Sequence, residues 1–110
     1  MPAEIVIVAD VWVTEEMRDR ALELLREDIE YTHANETGVA RFALHRDTED
    51  PLHFVMIETF ADDATLAAHR ASDFYKQLMA QLDEGGVLAR RGRVVLEPVG
   101  YGDPEKGYLA

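Results

Sequence analysis

Both alternating sets of side chains between Glu4 and Val13 are apolar or nearly so, with Ile5, Ile7, Ala9 and Val11 on one side and Val6, Val8, Asp10 and Trp12 on the other. That pattern predicts a strand covered on both faces. Thr14 can cap a following helix, in which Met17, Ala21, Leu24, Leu25 and Ile29 recur at three- and four-residue spacing up to about Ala34. Its other face carries Arg18, Asp19, Glu23, Arg26, Glu27 and Glu30, a solvated run of charge. Asn35 to Gly38 supplies a stop and a turn, with Gly38 free to take a positive φ. Val39 to Asp47 and Leu52 to Ala61 both alternate, and the turn residues Thr48 to Pro51 between them predict an antiparallel hairpin.

A register symmetric about residue 49 sets His45 opposite His53, Leu44 opposite Phe54, Phe42 opposite Met56 and Ala40 opposite Glu58. One face then holds Phe42, Leu44, Phe54, Met56, Glu58 and Phe60, and the other Arg41, Ala43, His45, His53, Val55 and Ile57. Asp62 or Asp63 caps a short helix carrying Leu66 and His69, and Ser72 or Asp73 caps another carrying Phe74, Tyr75, Leu78, Met79 and Leu82. Gly85-Gly86 ends it. Arg93 to Tyr101 alternates as a fourth strand, with Pro98 marking an edge.

The order strand, helix, strand, strand, helix pair, strand predicts an α+β, ferredoxin-like split β-α-β domain: a four-stranded antiparallel sheet with helices on one face. The domain is expected over residues 1–101, with 102–110 a turn-rich tail that is either a frayed end or an arm across a partner. Because the strands are apolar on both sides, the other sheet face needs a cover. A two-fold homodimer stacking two sheets supplies one.

Charge narrows the partners. Eleven basic residues against twenty-two acidic ones leave a net charge of −11, which repels phosphate backbones and anionic membranes, so neither nucleic acid nor a membrane surface is expected as a partner. With no cysteine, disulfides and thiolate chemistry are excluded, and a cytoplasmic location is expected. Ile5 to Ala9 is too short to span a bilayer and follows no basic segment. The glycines match no dinucleotide fingerprint or phosphate loop, and no third ligand is spaced to join His45 and His53 on a metal, so no cofactor or metal is expected.

Glu58 sits mid-strand among Phe42, Met56 and Phe60, where burial raises a carboxyl's pKa toward neutrality and suits it to act as a base, unless a fixed partner makes it structural. His69, three residues past Leu66, shares the helix face that looks at the sheet and can point into the same space, or simply be a satisfied core histidine. Asp10 and Trp12 share a strand face and together offer an anchor and a flat wall for an aromatic ligand. Alternatively, Trp12 fills a strand end.

The pattern Glu36-x-Gly38, a strand, Asp50-Pro51, Phe54-Val55-x-x-Glu58-x-Phe60 and Ala64-x-Leu66-x-x-His69 with Ser72 following resembles the antibiotic-biosynthesis monooxygenase (ABM) family over roughly residues 3–100, nearly a whole domain. The resemblance implies a dimeric α/β barrel with a separate ligand cavity in each subunit, and cofactor-independent oxidation of a small electron-rich aromatic, of quinol or anthrone type, by molecular oxygen. In that reading Glu58 or His69 is the base, and Asp10, Trp12, Phe42, Met56, Phe60 and Phe74 bind substrate. The family's haem-degrading branch typically has tryptophan where Phe60 stands here, which disfavours haem degradation. The rival readings are an isomerase or other acid/base enzyme on a small carbonyl compound, and a non-catalytic ligand-binding dimer.

Overall fold

A computed structural model of the chain describes residues 4–99. Strand β1 (Ile5–Trp12) leads to helix α1 (Arg18–Asn35), the hairpin of β2 (Val39–Arg46) and β3 (His53–Phe60), helices α2 (Asp63–Ala71) and α3 (Asp73–Glu84), and strand β4 (Arg90–Leu96). The strands form one antiparallel sheet in the order β2-β3-β1-β4. This is the ferredoxin-like fold the pattern predicts. The helices lie on one face, where Ile5, Ile7 and Val11 of β1 and Phe54, Met56 and Phe60 of β3 are buried beneath them. Among the described residues no helix is long and apolar enough to cross a membrane.

The capping chemistry operates largely where the residue types indicate. Asp62 accepts hydrogen bonds from the backbone N–H and the hydroxyl of Thr65 (2.8 and 2.7 Å), and Ser72 accepts from the Tyr75 N–H at 3.1 Å. Thr14 accepts from the Met17 N–H at 3.2 Å, but it caps a turn, and α1 itself starts only at Arg18. Gly38 takes φ +78°, a conformation that disfavours any side chain, and an added Cβ would also meet Thr65 Oγ1 at 2.9 Å.

Two expectations are corrected. The hairpin is symmetric about residue 50, so His45 faces Val55 instead of His53, Leu44 faces Met56, and Phe42 faces Glu58. Asp47 and Asp50 each turn a carboxylate onto the backbone N–H two residues on (2.9 and 3.0 Å), and the Asp47 N–H bonds the His53 carbonyl, which lengthens the connection. A shift of two preserves the side-chain faces. The fourth strand runs over Arg90–Leu96, pairing Trp12 with Arg90 and Val6 with Leu96, and ends before Pro98. Tyr101 and the 102–110 tail lie outside the described residues.

The sheet's other face is uncovered in the single chain. Val6, Val8, Val55, Ile57, Val94 and Leu96 lie on it, with Val94 53 % and Leu96 44 % exposed.

Candidate functional site

Ala9 stands between Ile7 and Val11 on the covered face of β1, opposite Met56 on one side and Arg93 on the other. Beside that small residue a cavity of about 340 Å³ is left between sheet and helices, at the lower end of the roughly 300–1,000 Å³ typical of small-molecule sites. Leu25 and Asp28 of α1, Leu66, His69 and Arg70 of α2, and Tyr75, Met79 and Leu82 of α3 form its roof. Leu44, Met56 and Glu58 form its floor, and the exposed Arg91 and Arg93 of β4 bound the side toward solvent. The walls are mainly apolar. Their polar groups gather around Glu58.

Glu58 emerges from the middle of β3, between Ile7 of β1 and Phe42 of β2. Burial, and then the neighbouring Asp28, push its pKa up to about 8, against the pull of Arg70 and Arg93 in the other direction. Asp28 is raised to about 7, again by burial first and then by the negative charge of Glu36. It is 8 % exposed, and its Oδ1 has no hydrogen-bond partner among the described residues. His69, 3 % exposed, projects from the last turn of α2 into a cage of Phe42, Phe60 and Tyr75, with ring centroids at 5.4, 5.3 and 5.0 Å. Its Nδ1 lies 2.7 Å from Glu36 Oε1, a contact that orients the ring. Glu36 Oε2, Thr32 Oγ1 and Arg70 Nη2 are buried without partners among the described residues, a concentration of unmet polar atoms that ordinary interiors avoid.

The structure brings Glu58 and His69 into one cavity, as their positions in sequence predict, and Met56 lines it. Phe42 and Phe60 do not line it. They pack behind His69 as core, fixing its ring. Phe74 stacks on Tyr31 at 4.0 Å and is likewise absent from the wall. Asp10 and Trp12 are the clear departure. Asp10 borders the cavity through its strand, but its carboxylate meets His53 Nε2 at 2.7 Å on the uncovered face. Trp12 stacks on the same imidazole at 4.4 Å, beneath the Arg90 guanidinium. Strand alternation is the reason. Val11 turns toward the helices, so Asp10 and Trp12 turn away from them.

The site also includes Asp28, Arg70 and Arg93, which the sequence pattern does not single out, and Glu36, which the pattern contains but to which it gives no role. For Asp28 a signal exists, since the buried stripe of α1 runs Ala21, Leu24, Leu25, Asp28, Thr32, and a carboxylate stands where the period calls for an apolar residue. Glu36 lies in a turn 33 residues from His69, with no local pattern to mark it as that histidine's partner.

Residues 4–81 match the family model described as antibiotic biosynthesis monooxygenase. No curated protein matches the chain. Among solved structures, a candidate antibiotic biosynthesis monooxygenase from Caulobacter crescentus is similar over 89 % of this chain and 92 % of its own, at 21 % identity and a TM-score of 0.81. A Mycobacterium tuberculosis protein is similar over 92 % of this chain and 100 % of its own, at 24 % identity and TM-score 0.81. A conserved protein from Methanosarcina mazei covers 86 % of this chain and 92 % of its own, at 25 % identity and TM-score 0.78.

Proposed function

Since the chain belongs to the antibiotic biosynthesis monooxygenase family, we propose that it is a cofactor-independent monooxygenase of a small electron-rich aromatic, of quinol or anthrone type, with Glu58 as the base. The observation that carries this reading is a carboxyl of pKa about 8 on the wall of an apolar cavity that it shares with an oriented histidine. A base of that strength is matched to a weakly acidic C–H or O–H near neutral pH, whereas an ordinary carboxylate is not.

In an anthrone-type substrate, Glu58 takes a proton from the ring methylene, and the resulting enolate gives one electron to molecular oxygen. The two radicals couple to form a C–O bond, and the peroxide, once protonated, loses water to leave a ketone. Overall, one ring methylene and one molecule of oxygen give one ring carbonyl and one water. The substrate supplies all the electrons, so the protein has only to hold it, desolvate it and move protons. His69, fixed by Glu36 through Nδ1, offers its other nitrogen as a second proton carrier.

The working unit in this reading is a cytoplasmic homodimer whose subunits stack their uncovered sheet faces through Val6, Val8, Val55, Ile57, Val94 and Leu96. Sedimentation gives its mass directly, and a monomer would remove the dimer from the reading. Oxygen uptake with a panel of anthrones and hydroquinones tests the chemistry. Uptake abolished by Glu58→Gln supports the oxygenase, and turnover that persists under nitrogen supports proton transfer on a carbonyl compound instead.

A further inference from the structure

Arg70 differs from the other arginines on the cavity wall. Arg91 is paired with Asp83 at 3.0 Å, and Arg93 stands exposed at the solvent side. Arg70 forms no ion pair among the described residues, and its Nη2 is buried there without an acceptor. A guanidinium N–H withdrawn from water and left unmet is costly unless something brings an oxygen to it. The carboxyls beside it are poor counter-ions. At slightly acid pH Asp28 and Glu58, raised to about 7 and 8, are largely protonated, and Glu36 is engaged through one oxygen by His69. A chain of net charge −11 thus has, on the wall of this cavity, a guanidinium with no ion-pair partner among the described residues, together with two carboxyl groups able to donate a hydrogen bond. The unpartnered Asp28 Oδ1 adds a second unmet group to the same wall.

We infer that the polar end of the cavity is a receptor for the carboxylate of an aryl carboxylic acid, with Arg70 as its counter-charge, Arg93 as a second cation at the mouth and Asp28 as a hydrogen-bond donor to it. This rests on the reading of the cavity as an aromatic substrate site and narrows the substrate to arenes that carry an acidic group. A charge-assisted bond to a guanidinium is among the stronger polar contacts, and the low dielectric of the cavity strengthens it further. Binding should weaken with alkalinity. Above neutral pH, Asp28 of α1 and Glu58 of β3 become anions facing the ligand on the wall they share with Arg70, Arg91 and Arg93. His69 and Glu36 face each other, Tyr75 enters from α3, and Asp10 is held by His53 on the far side of the sheet.

The test is calorimetric titration of the full chain under nitrogen with 2-naphthoate and with its neutral analogue 2-naphthamide, neither of which titrates between the two pH values used, 6.5 and 8.5. The expected result at pH 6.5 is tighter binding of the carboxylate by roughly tenfold or more. Arg70→Gln should remove most of that preference and leave the amide within about twofold. Arg70→Lys, which keeps the charge, should recover part of it, and melting curves of both variants check the fold. Moving to pH 8.5 should cost the carboxylate affinity and leave the amide nearly unchanged. Equal affinities, a preference for the amide, loss of both ligands in a folded Arg70→Gln protein, or no binding of either up to roughly 1 mM would each overturn the inference. No oxygen is consumed, so its failure is separable from that of the oxygenase. Oxidation of neutral quinols with no carboxylate preference sinks this proposal alone, and a preference without any oxygen uptake sinks the oxygenase alone.

Discussion

Two histidine–carboxylate clusters lie on opposite faces of the same sheet, and they differ in how completely their polar atoms are met. On the uncovered face His53 reaches Asp47 Oδ2 through Nδ1 (2.8 Å) and Asp10 Oδ1 through Nε2 (2.7 Å), with Trp12 stacked on the ring. Both nitrogens are used, and Asp47 is in turn tied to the turn backbone. The covered face is the opposite case. His69 spends one nitrogen on Glu36, while one oxygen of Glu36, one of Asp28 and one nitrogen of Arg70 are left unmet among the described residues, beside a cavity. A saturated cluster fixes a fold, and an unsaturated one next to an open volume suits a ligand.

Deleting the base is the strongest way to break the comparison. Glu58→Gln should lower oxygen uptake on a responsive substrate by about 10²–10⁴-fold, the range for loss of general base catalysis, while His53→Gln changes it by less than about twofold. Steady-state oxygen-electrode rates on folded variants decide between them. If both substitutions abolish turnover, the two faces do not divide structure from chemistry.

Stability should move next. Folded Asp28 and Glu58 retain protons over a range where the unfolded chain has released them, so their contribution is full below about pH 4 and declines until about pH 8. Asp28→Asn removes a buried carboxyl that must ionise, and should therefore stabilise the protein at pH 8.5 relative to its effect at pH 5 by on the order of 2–4 kcal/mol. Chemical denaturation at the two pH values measures this. A uniform loss would mean that Asp28 is a structural hydrogen-bond partner.

The core behind the site gives an effect of similar size without pH dependence. Phe60 is fully buried and packs edge-on to Phe42 and obliquely on His69. Phe60→Leu should cost about 1–2 kcal/mol through lost packing, and it should lower turnover only by loosening His69. Urea midpoints together with rates separate the two effects.

The smallest change is expected on the saturated side. The two aspartates hold the His53 pKa above its ordinary value, so the pair's contribution is present below about pH 6.5 and lost as pH rises through the raised pKa. His53→Gln should lower Tm modestly at pH 6, and its effect should fade by pH 9. Melting curves at both pH values check the sign.

How much of this is legible in the sequence follows the same division. Alternation in β3 and the Leu66-to-His69 spacing in α2 are enough to bring Glu58 and His69 to one side of the sheet, because each depends only on local period. The same alternation does not tell which set of β1 meets the helices, since both sets are apolar, and so it leaves Asp10 and Trp12 free to be placed on the ligand side, where they are not. Hairpin register depends on the Asp47 and Asp50 side chains gripping the turn, which no count of hydrophobic residues reveals. Glu36 stands in the family pattern, but its tie to His69, like the place of Arg70 on the cavity wall, comes from contacts across the fold. Asp28 is visible in principle, as a lone charge within a buried stripe.

The chemistry proposed for the covered face requires carboxyl groups that keep their protons near neutral pH, and carbon-13 NMR titration of the side-chain carboxyls reads that property residue by residue. Two resonances should titrate between about pH 6 and 9, one lost in Asp28→Asn and the other in Glu58→Gln. If every aspartate and glutamate instead titrates below about pH 5.5, near the ordinary carboxylate range, the cavity holds no base of the required strength and the proposed chemistry is wrong.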